Sequence, residues 1–146
     1  NNKYAYLIEE LSGTVETFQY SNGTLKNIQR ISSMPAGDTS FAGSADIHVS
    51  TDGKFLYASN RSTSNTIAIF KINPADGKLT VVGHQSTLGQ TPRNFNFDPS
   101  GNFLLVANQN SDQVVIFKRD KHTGLLTDTG KRIDVGKPVC LKWIKL

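Results

Sequence analysis

The chain has 146 residues, of which 37% are hydrophobic and 19% charged, a composition typical of one globular domain. No apolar run approaches the roughly 20 residues that a membrane-spanning helix needs. The single cysteine, Cys140, excludes an internal disulfide framework and a cysteine-rich metal site. The net charge of +4 comes without a dense basic cluster, so this balance favours an anionic small molecule over nucleic acid as a partner.

The N-terminal third contains three short runs with the residue types and spacing of β-strands. The predicted strands cover residues 4–8, 14–18 and 25–31. Asn22-Gly23 predicts a tight hairpin between the second and third strands, because this pair supplies the positive φ that such turns need. Residues 32–45 form a long connection of small residues, a length that indicates either a functional or a mobile loop.

The rest of the chain is a sequence repeat, with one copy over residues 46–93 and a second that begins at residue 94. The repeated positions, 48 residues apart, include Gly53 with Gly101 and Asn60 with Asn108. The predicted strands are 46–50, 54–59, 66–72 and 79–85, then 94–98, 103–108, 113–119 and 126–133. A period in the high forties, made of four short strands separated by Asp-Gly or Ser-Gly turns, is typical of a β-propeller blade.

The predicted fold is therefore all-β, a propeller of four-stranded antiparallel blades. No segment shows a sustained 3.6-residue apolar period, so no helix is predicted. The predicted units are an incomplete blade with the long loop over 1–45, full blades over 46–93 and 94–138, and the innermost strand of a closing blade over 139–146. About three blades are too few to close a ring. We therefore expect the missing N-terminal blades, or another copy of the chain, as a partner.

The repeat also sorts the polar residues between the two faces of the propeller. In each blade the innermost strand starts, and the second strand ends, on the face opposite the Asp-Gly and Ser-Gly hairpins. Glu10, Arg61 and Gln109 occupy one repeat position just after the second strand, and Arg93 precedes an innermost strand on the same face. A structural position tends to keep one residue type, so an acid, a base and an amide at one position indicate binding or catalysis.

The histidines are less informative than these four residues. His48 lies within a predicted innermost strand, where it is either a hydrogen-bonded structural group or a catalytic one, and both readings stay open. His84 and His122 fall on an outer strand and an outer turn and are interpreted as surface residues. No Ser-His-Asp set and no cluster of metal ligands is visible, so direct attack by water is preferred to a covalent intermediate. Neither a metal nor a cofactor is expected.

In combination these segments resemble the seven-bladed propeller lactonase family, which includes bacterial propeller-type 6-phosphogluconolactonases and the fungal carboxy-muconate cyclase. The resemblance rests on residues 4–15, 47–61, 91–95 and 103–109 and extends over essentially the whole chain. Residues 138–140 resemble the family's C-terminus. The resemblance implies that the chain is the C-terminal part of a seven-bladed ring.

The resemblance also implies a hydrolase that opens a small anionic sugar lactone, such as 6-phosphogluconolactone, without a cofactor. Glu10 and His48 match the catalytic positions, and Arg61 and Arg93 match the basic ones, with Gln109 as a third substrate-binding candidate on that face. A Pro-Arg-His motif, which the family carries upstream of the position of Glu10, is not present in this chain. We therefore expect the 146 residues alone to be inactive.

The alternative is a non-catalytic propeller that binds small molecules or proteins through the same face. The enzyme reading requires Glu10 and both arginines around one cavity, whereas the binding-protein reading predicts that they point apart or into solvent. Neither nucleic acid nor a membrane is expected as a partner. We expect a cytoplasmic location, with the periplasm left open.

Overall fold

The computed structural model describes residues 3–144, and within them it contains eleven β-strands and one short 3₁₀ helix. The strands are β1 (Tyr4–Ile8), β2 (Thr14–Ser21), β3 (Thr24–Ser32), β4 (Ser44–Val49), β5 (Phe55–Asn60), β6 (Thr66–Ile72), β7 (Leu79–Ser86), β8 (Pro92–Phe97), β9 (Phe103–Asn108), β10 (Gln113–Arg119) and β11 (Leu126–Asp134). The 3₁₀ helix, Gln109–Ser111, follows β9. The prediction of an all-β chain is confirmed.

The strands form three antiparallel sheets in chain order, as expected for successive propeller blades. The first sheet has the order β1-β2-β3, the second β4-β5-β6-β7 and the third β8-β9-β10-β11. Each strand therefore pairs with its neighbour in sequence, which is the simple meander that the turn spacing predicts. The first sheet has three strands, again as predicted from the repeat.

The structure does not form the innermost strand predicted over residues 139–144, and residues 145–146 lie outside the described part. Residues 139–144 make no ladder of backbone hydrogen bonds. Instead, the Leu141 N–H donates to Asn94 Oδ1 at 2.7 Å, and the Leu141 carbonyl accepts from Asn96 Nδ2 at 3.0 Å. A strand forms only against a partner strand, and no described strand lies beyond this segment to pair with it.

The second sheet lies in the centre and is packed on both faces. All six residues of β5 are buried, since alternate side chains point to opposite faces of a sheet. Phe55 and Tyr57 enter a cluster with the third sheet, which includes Phe95 and Phe117. The intervening Leu56 and Ala58 enter a second cluster, which includes Val15 of the first sheet. The core is thus two layers of apolar side chains between three sheets.

Two apolar residues of β4 are less buried than the residues of β5. Val49 is 42% exposed, and Ile47 is partly buried at the edge of the second cluster. Val49 lines an open cleft together with Tyr4 and Tyr6 of the first sheet. The cleft is open because no innermost strand of the first sheet covers it in the described chain.

A repeated joint fixes each sheet against the next. The Tyr6 hydroxyl donates to the Gly77 carbonyl at 2.7 Å, and the Tyr57 hydroxyl donates to the Gly124 carbonyl at 2.6 Å. Both glycines lie in outer hairpins at the same repeat position and have positive φ. A Cβ on Gly124 would lie 2.4 Å from the Phe55 ring, so only glycine fits this approach.

An ion pair whose arginine is buried joins the second and third sheets at the hairpin face. The Arg119 side chain is fully buried, and its Nη2 lies 2.9 Å from each oxygen of Asp52. Arg119 also donates to the Tyr57 hydroxyl and the Gly101 carbonyl. Burial opposes ionisation of Asp52, but the hydrogen bonds from Ser50 and Arg119 outweigh it and lower the pKa to about 2.

Replacing Asp52 by Asn should lower the free energy of unfolding by roughly 3 kcal/mol at pH 7, because Arg119 would stay buried without a counter-charge. The folded-state pKa of Asp52 is depressed, so its contribution is present above its ordinary pKa of about 3.9 and is lost as the pH falls towards about 2. Urea unfolding of the whole gene product at several pH values measures both effects.

Asp128→Asn is the matched control for Asp52→Asn. Hydrogen bonds from Arg132 lower the pKa of Asp128 to about 2 as well, but that pair lies on the surface of β11. Exposed ion pairs contribute little, so the control should leave the unfolding midpoint nearly unchanged. Equal stability losses in the two variants would contradict the role assigned to Arg119 burial.

Candidate functional site

The innermost strands β4 and β8 each carry an irregularity at the same repeat position. On β4, Ser44 pairs with Asn60 of β5, and the next paired residue is Ile47, which lies opposite Ala58. On β8, Pro92 pairs with Asn108 of β9, and the next paired residue is Asn94, which lies opposite Ala107. Ala45 and Asp46 therefore face Ser59 alone, and Arg93 has no counterpart on β9. At such bulges the extra residue leaves the ladder and its side chain takes a new direction.

A pocket of about 330 Å³ lies at these bulges, where the three sheets meet. Its lining residues are Ile8, Glu10, Ser44, Ala45, Asp46, Arg61, Arg93, Asn94 and Val139. Glu10 follows β1 of the first sheet, Arg61 follows β5 of the second, and Arg93 lies in β8 of the third. The structure thus brings together one acid and two guanidinium groups from three successive sheets.

Arg61 is held in one orientation by three oxygen acceptors. Its Nε donates to the Gly43 carbonyl at 2.6 Å, and its Nη2 approaches Glu10 Oε1 at 2.5 Å and the Ser44 carbonyl at 3.5 Å. Gly43 ends the long connection after β3 and Ser44 begins β4, and both residues are buried. Arg61 Nη1 donates no hydrogen bond within residues 3–144 and stays available to a ligand.

Glu10 is more exposed than its partner Arg61, with 62% of its side chain accessible against 17%. Its Oε1 accepts from Arg61, whereas its Oε2 accepts no hydrogen bond from the described chain. The position of Glu10 is also fixed through its backbone, because the Ser44 N–H donates to the Glu10 carbonyl at 2.9 Å. The carboxylate is therefore oriented by one oxygen and open at the other.

Arg93 is exposed, and its side chain makes no hydrogen bond or ion pair with another residue between 3 and 144. Arg93 occupies the bulge of β8, where it has no partner residue on β9. An unpaired guanidinium has five donors in a rigid planar fork, which suits a carboxylate or a phosphate. Of the pocket's two cations, Arg93 has the larger unused capacity to bind an anion.

Asp46 also lines the pocket, and sequence reasoning missed it. Its Oδ2 accepts from His48 Nε2 at 3.1 Å, Asn94 Nδ2 at 2.6 Å and the Phe95 N–H at 3.0 Å, and its Oδ1 accepts from the Ile47 N–H. Burial raises its pKa, but the hydrogen bonds from His48 and Phe95 outweigh burial and hold the pKa below its usual value. Asp46 is thus a fixed carboxylate.

The structure does not place His48 or Gln109 in the lining of this pocket. The His48 ring lies behind Asp46 and packs edge-on against Phe95, with 5.0 Å between ring centroids. Gln109 lies in the 3₁₀ turn after β9, where its backbone N–H donates to the Thr91 carbonyl at 2.9 Å. His48 reaches the pocket only through Asp46.

A signal for Asp46 was present in the repeat. Asp46 and Asn94 lie 48 residues apart and so share a repeat position, where one copy has an acid and the other an amide. This is the same kind of variation that singled out Glu10, Arg61 and Gln109. Within residues 3–144, no three His, Cys, Asp or Glu side chains form a group that could hold a metal ion.

Residues 1–143 match the family described as Lactonase, 7-bladed beta-propeller. The chain belongs to this propeller lactonase family. Among curated relatives, a 6-phosphogluconolactonase of Formosa agariphila is 52% identical over 127 residues, which are 86% of this chain and 36% of the relative. A 6-phosphogluconolactonase of Bacillus subtilis is 40% identical over 97% of this chain and 41% of the relative.

Solved structures of similar proteins agree with this membership. A protein described as a 6-phosphogluconolactonase of Bacteroides uniformis has a TM-score of 0.91 and 51% identity over 99% of this lactonase-family chain and 41% of its own. A periplasmic gluconolactonase of Pseudomonas aeruginosa has a TM-score of 0.93 and 41% identity, over 98% of this chain and 40% of its own. The chain thus spans about two-fifths of these relatives.

Its described part has no helix long and apolar enough to cross a membrane.

Replacing Arg93 by Ala in the whole gene product should weaken the binding of inorganic phosphate about tenfold, because one charge-assisted contact is lost. The unfolding temperature without phosphate should stay unchanged, since Arg93 is exposed and has no partner in the described chain. Arg61→Ala should lower both phosphate binding and stability, because it frees Glu10 and two backbone carbonyls. Thermal unfolding over a series of phosphate concentrations measures both quantities.

Arg132→Ala is the control for a general loss of positive charge. Arg132 pairs with Asp128 on β11, at the edge of the third sheet opposite β8, and does not line the pocket. This variant should bind phosphate as the unaltered protein does. Unchanged phosphate binding in Arg93→Ala would show that the pocket is not an anion site.

Proposed function

We propose that Glu10, Arg61 and Arg93 belong to the active site of a lactonase that hydrolyses a sugar-derived lactone such as 6-phosphogluconolactone. The observation that carries the proposal is their convergence on one pocket from three sheets. Relatives named 6-phosphogluconolactonase, at 40% to 52% identity, support this substrate class. This convergence favours an enzyme over the alternative, a non-catalytic binding propeller, for which these side chains were expected to point apart or into solvent.

The catalytic base in this proposal is Glu10, acting through Oε2. Water attacks the carbonyl carbon of the lactone, and the proton that it loses passes to Glu10. The tetrahedral oxyanion then collapses, and the bond between the carbonyl carbon and the ring oxygen breaks. The proton returns from Glu10 to the ring oxygen, which leaves the open-chain hydroxy acid.

The two arginines have different tasks in this scheme. Arg61 orients Glu10 through Nη2 and offers Nη1 to the developing oxyanion, where preorganised donors contribute most to the rate. Arg93 binds the anionic group of the substrate, because its guanidinium is exposed in the pocket and unpaired within the described chain. His48 acts by holding Asp46, and Gln109 has no assigned contact with substrate.

Glu10→Gln in the whole gene product should lower the rate of lactone opening at least 100-fold, the usual contribution of a general base. Stability should change little, because the Glu10–Arg61 pair is exposed on the Glu10 side. The measurement is the rate of 6-phosphogluconolactone hydrolysis, corrected for spontaneous opening, together with the unfolding temperature.

Glu9→Gln is the matched control. Glu9 is the adjacent carboxylate, but it pairs with Arg30 and accepts from Ser12, and it does not line the pocket. The control should keep full activity. An active Glu10→Gln enzyme would remove Glu10 from the mechanism.

Additional blades are part of the proposal, because an aromatic side chain of the third sheet is exposed at a repeat position that the next sheet covers in the second sheet. Phe103 corresponds to Phe55 and is 38% exposed, whereas Phe55 is covered by the Gly124 hairpin of the next sheet. We therefore expect the 146-residue chain alone to associate and to lack lactonase activity. Mass in solution and activity, measured on one sample, test this; an active monomer of this length would contradict it.

A further inference from the structure

The innermost strand of a blade has one edge without a strand partner, and its N–H groups need other acceptors. On β8 the Phe95 N–H donates to Asp46 Oδ2, a side chain of the preceding sheet. One repeat later, the Leu141 N–H donates to Asn94 Oδ1. In both copies, the side chain at this repeat position (Asp46 or Asn94) therefore accepts a hydrogen bond from the backbone of the next innermost segment.

Asp46 also binds a second group of β8, the side chain of Asn94. The oxygen that accepts from the Phe95 N–H also accepts from Asn94 Nδ2 at 2.6 Å. Asp46 thus holds two consecutive residues, and these are the two that directly follow Arg93. On the other side of Arg93 lies Pro92, which is buried and pairs with Asn108 of β9.

Arg93 needs such support because it lies in a bulge and has no side-chain partner within the described chain. The direction of its guanidinium depends on the backbone at residues 92–95. Pro92 fixes one end of this stretch through its burial, and Asp46 fixes the other through two hydrogen bonds. No other described side chain accepts a hydrogen bond from the Phe95 N–H or from Asn94 Nδ2.

We infer that Asp46 is a positioning residue, whose Oδ2 oxygen fixes the β8 bulge so that Arg93 faces the same pocket as Glu10 and Arg61. Asp46 is not itself the base in this scheme. Four donors surround its two oxygens, whereas Glu10 has an unoccupied oxygen in the same pocket. The catalytic part of the inference rests on the proposed lactonase function, but the positioning part does not.

Two substitutions of Asp46 in the whole gene product distinguish the effect of the acceptor oxygen from the effect of the negative charge. Asp46→Asn keeps an oxygen that can accept from Phe95 and Asn94, so it should retain substrate KM within about threefold. Asp46→Ala removes the acceptor, so KM for 6-phosphogluconolactone should rise about tenfold with a smaller change in kcat. The Phe95 amide should exchange with solvent about tenfold faster in Asp46→Ala only.

Tyr6→Phe is the matched control, since it also removes one hydrogen bond between sheets, at the Gly77 hairpin away from the pocket. It should lower stability without changing KM. Wild-type KM in Asp46→Ala, or an equal rise in KM in Tyr6→Phe, would overturn the inference and reduce Asp46 to an ordinary joint between blades. A rise in KM of the same size in Asp46→Asn would overturn it in favour of a charge effect.

Hydrogen exchange keeps the inference testable if the proposed function fails. Should the protein hydrolyse no sugar lactone, the Phe95 amide must still exchange faster in Asp46→Ala than in Asp46→Asn. Inorganic phosphate then replaces the lactone as the probe, and its affinity should fall in Asp46→Ala as it does in Arg93→Ala. Slow Phe95 exchange or unaltered phosphate affinity in Asp46→Ala would overturn the inference without any enzyme assay.

Discussion

Hydrogen bonds from a side chain of one blade to the backbone of the next are the interaction on which the rest of this structure depends. Each sheet is a simple meander, and apolar packing alone does not fix how one sheet is set against another. Two hydrogen bonds provide that alignment. At the outer side of the blades the Tyr57 hydroxyl donates to the Gly124 carbonyl, and at the inner side Asp46 accepts from the Phe95 N–H. Because these bonds recur at the same repeat positions, the geometry of the pocket follows from the geometry of the joints.

The repeat separates positions that join blades from positions that are free to vary. Asn60 and Asn108 keep one residue type because each binds the end of the preceding sheet: Asn60 Nδ2 donates to the Ser33 carbonyl and Asn108 Nδ2 to the Thr87 carbonyl. The next position along the chain binds no such partner in common. It can therefore differ between blades, and in Arg61 it places a guanidinium in the lining of the pocket.

Much of the fold follows from the sequence, because turn residues and two-residue alternation act locally. The same reasoning set Glu10, Arg61 and Arg93 on one face, since strand direction alone decides the face. The bulges of β4 and β8 were not predictable, because one extra residue hardly changes the apolar pattern. The strands begin at Ser44 and Pro92, earlier than predicted, for the same reason.

Contacts between blades set the limit of sequence reasoning at the site. The pairing of Arg119 with Asp52 joins residues 67 positions apart and leaves no local pattern, and the roles of Asp46 and His48 depend on what the next strand places beside them. The predicted strand is absent over residues 139–144 because a strand forms only when a second strand pairs with it. Spacing locates such residues but does not say what they touch.

We propose that one pocket, lined by Glu10, Arg61 and Arg93, binds and opens an anionic sugar lactone. The most direct measurement is a crystal structure of the whole gene product with the reaction product 6-phosphogluconate. The account predicts the product in this pocket, with its phosphate at hydrogen-bond distance of about 3 Å from Arg93 and its carboxylate beside Arg61 and Glu10. Product bound at the hairpin face, or in this pocket without contact to either arginine, would contradict the account.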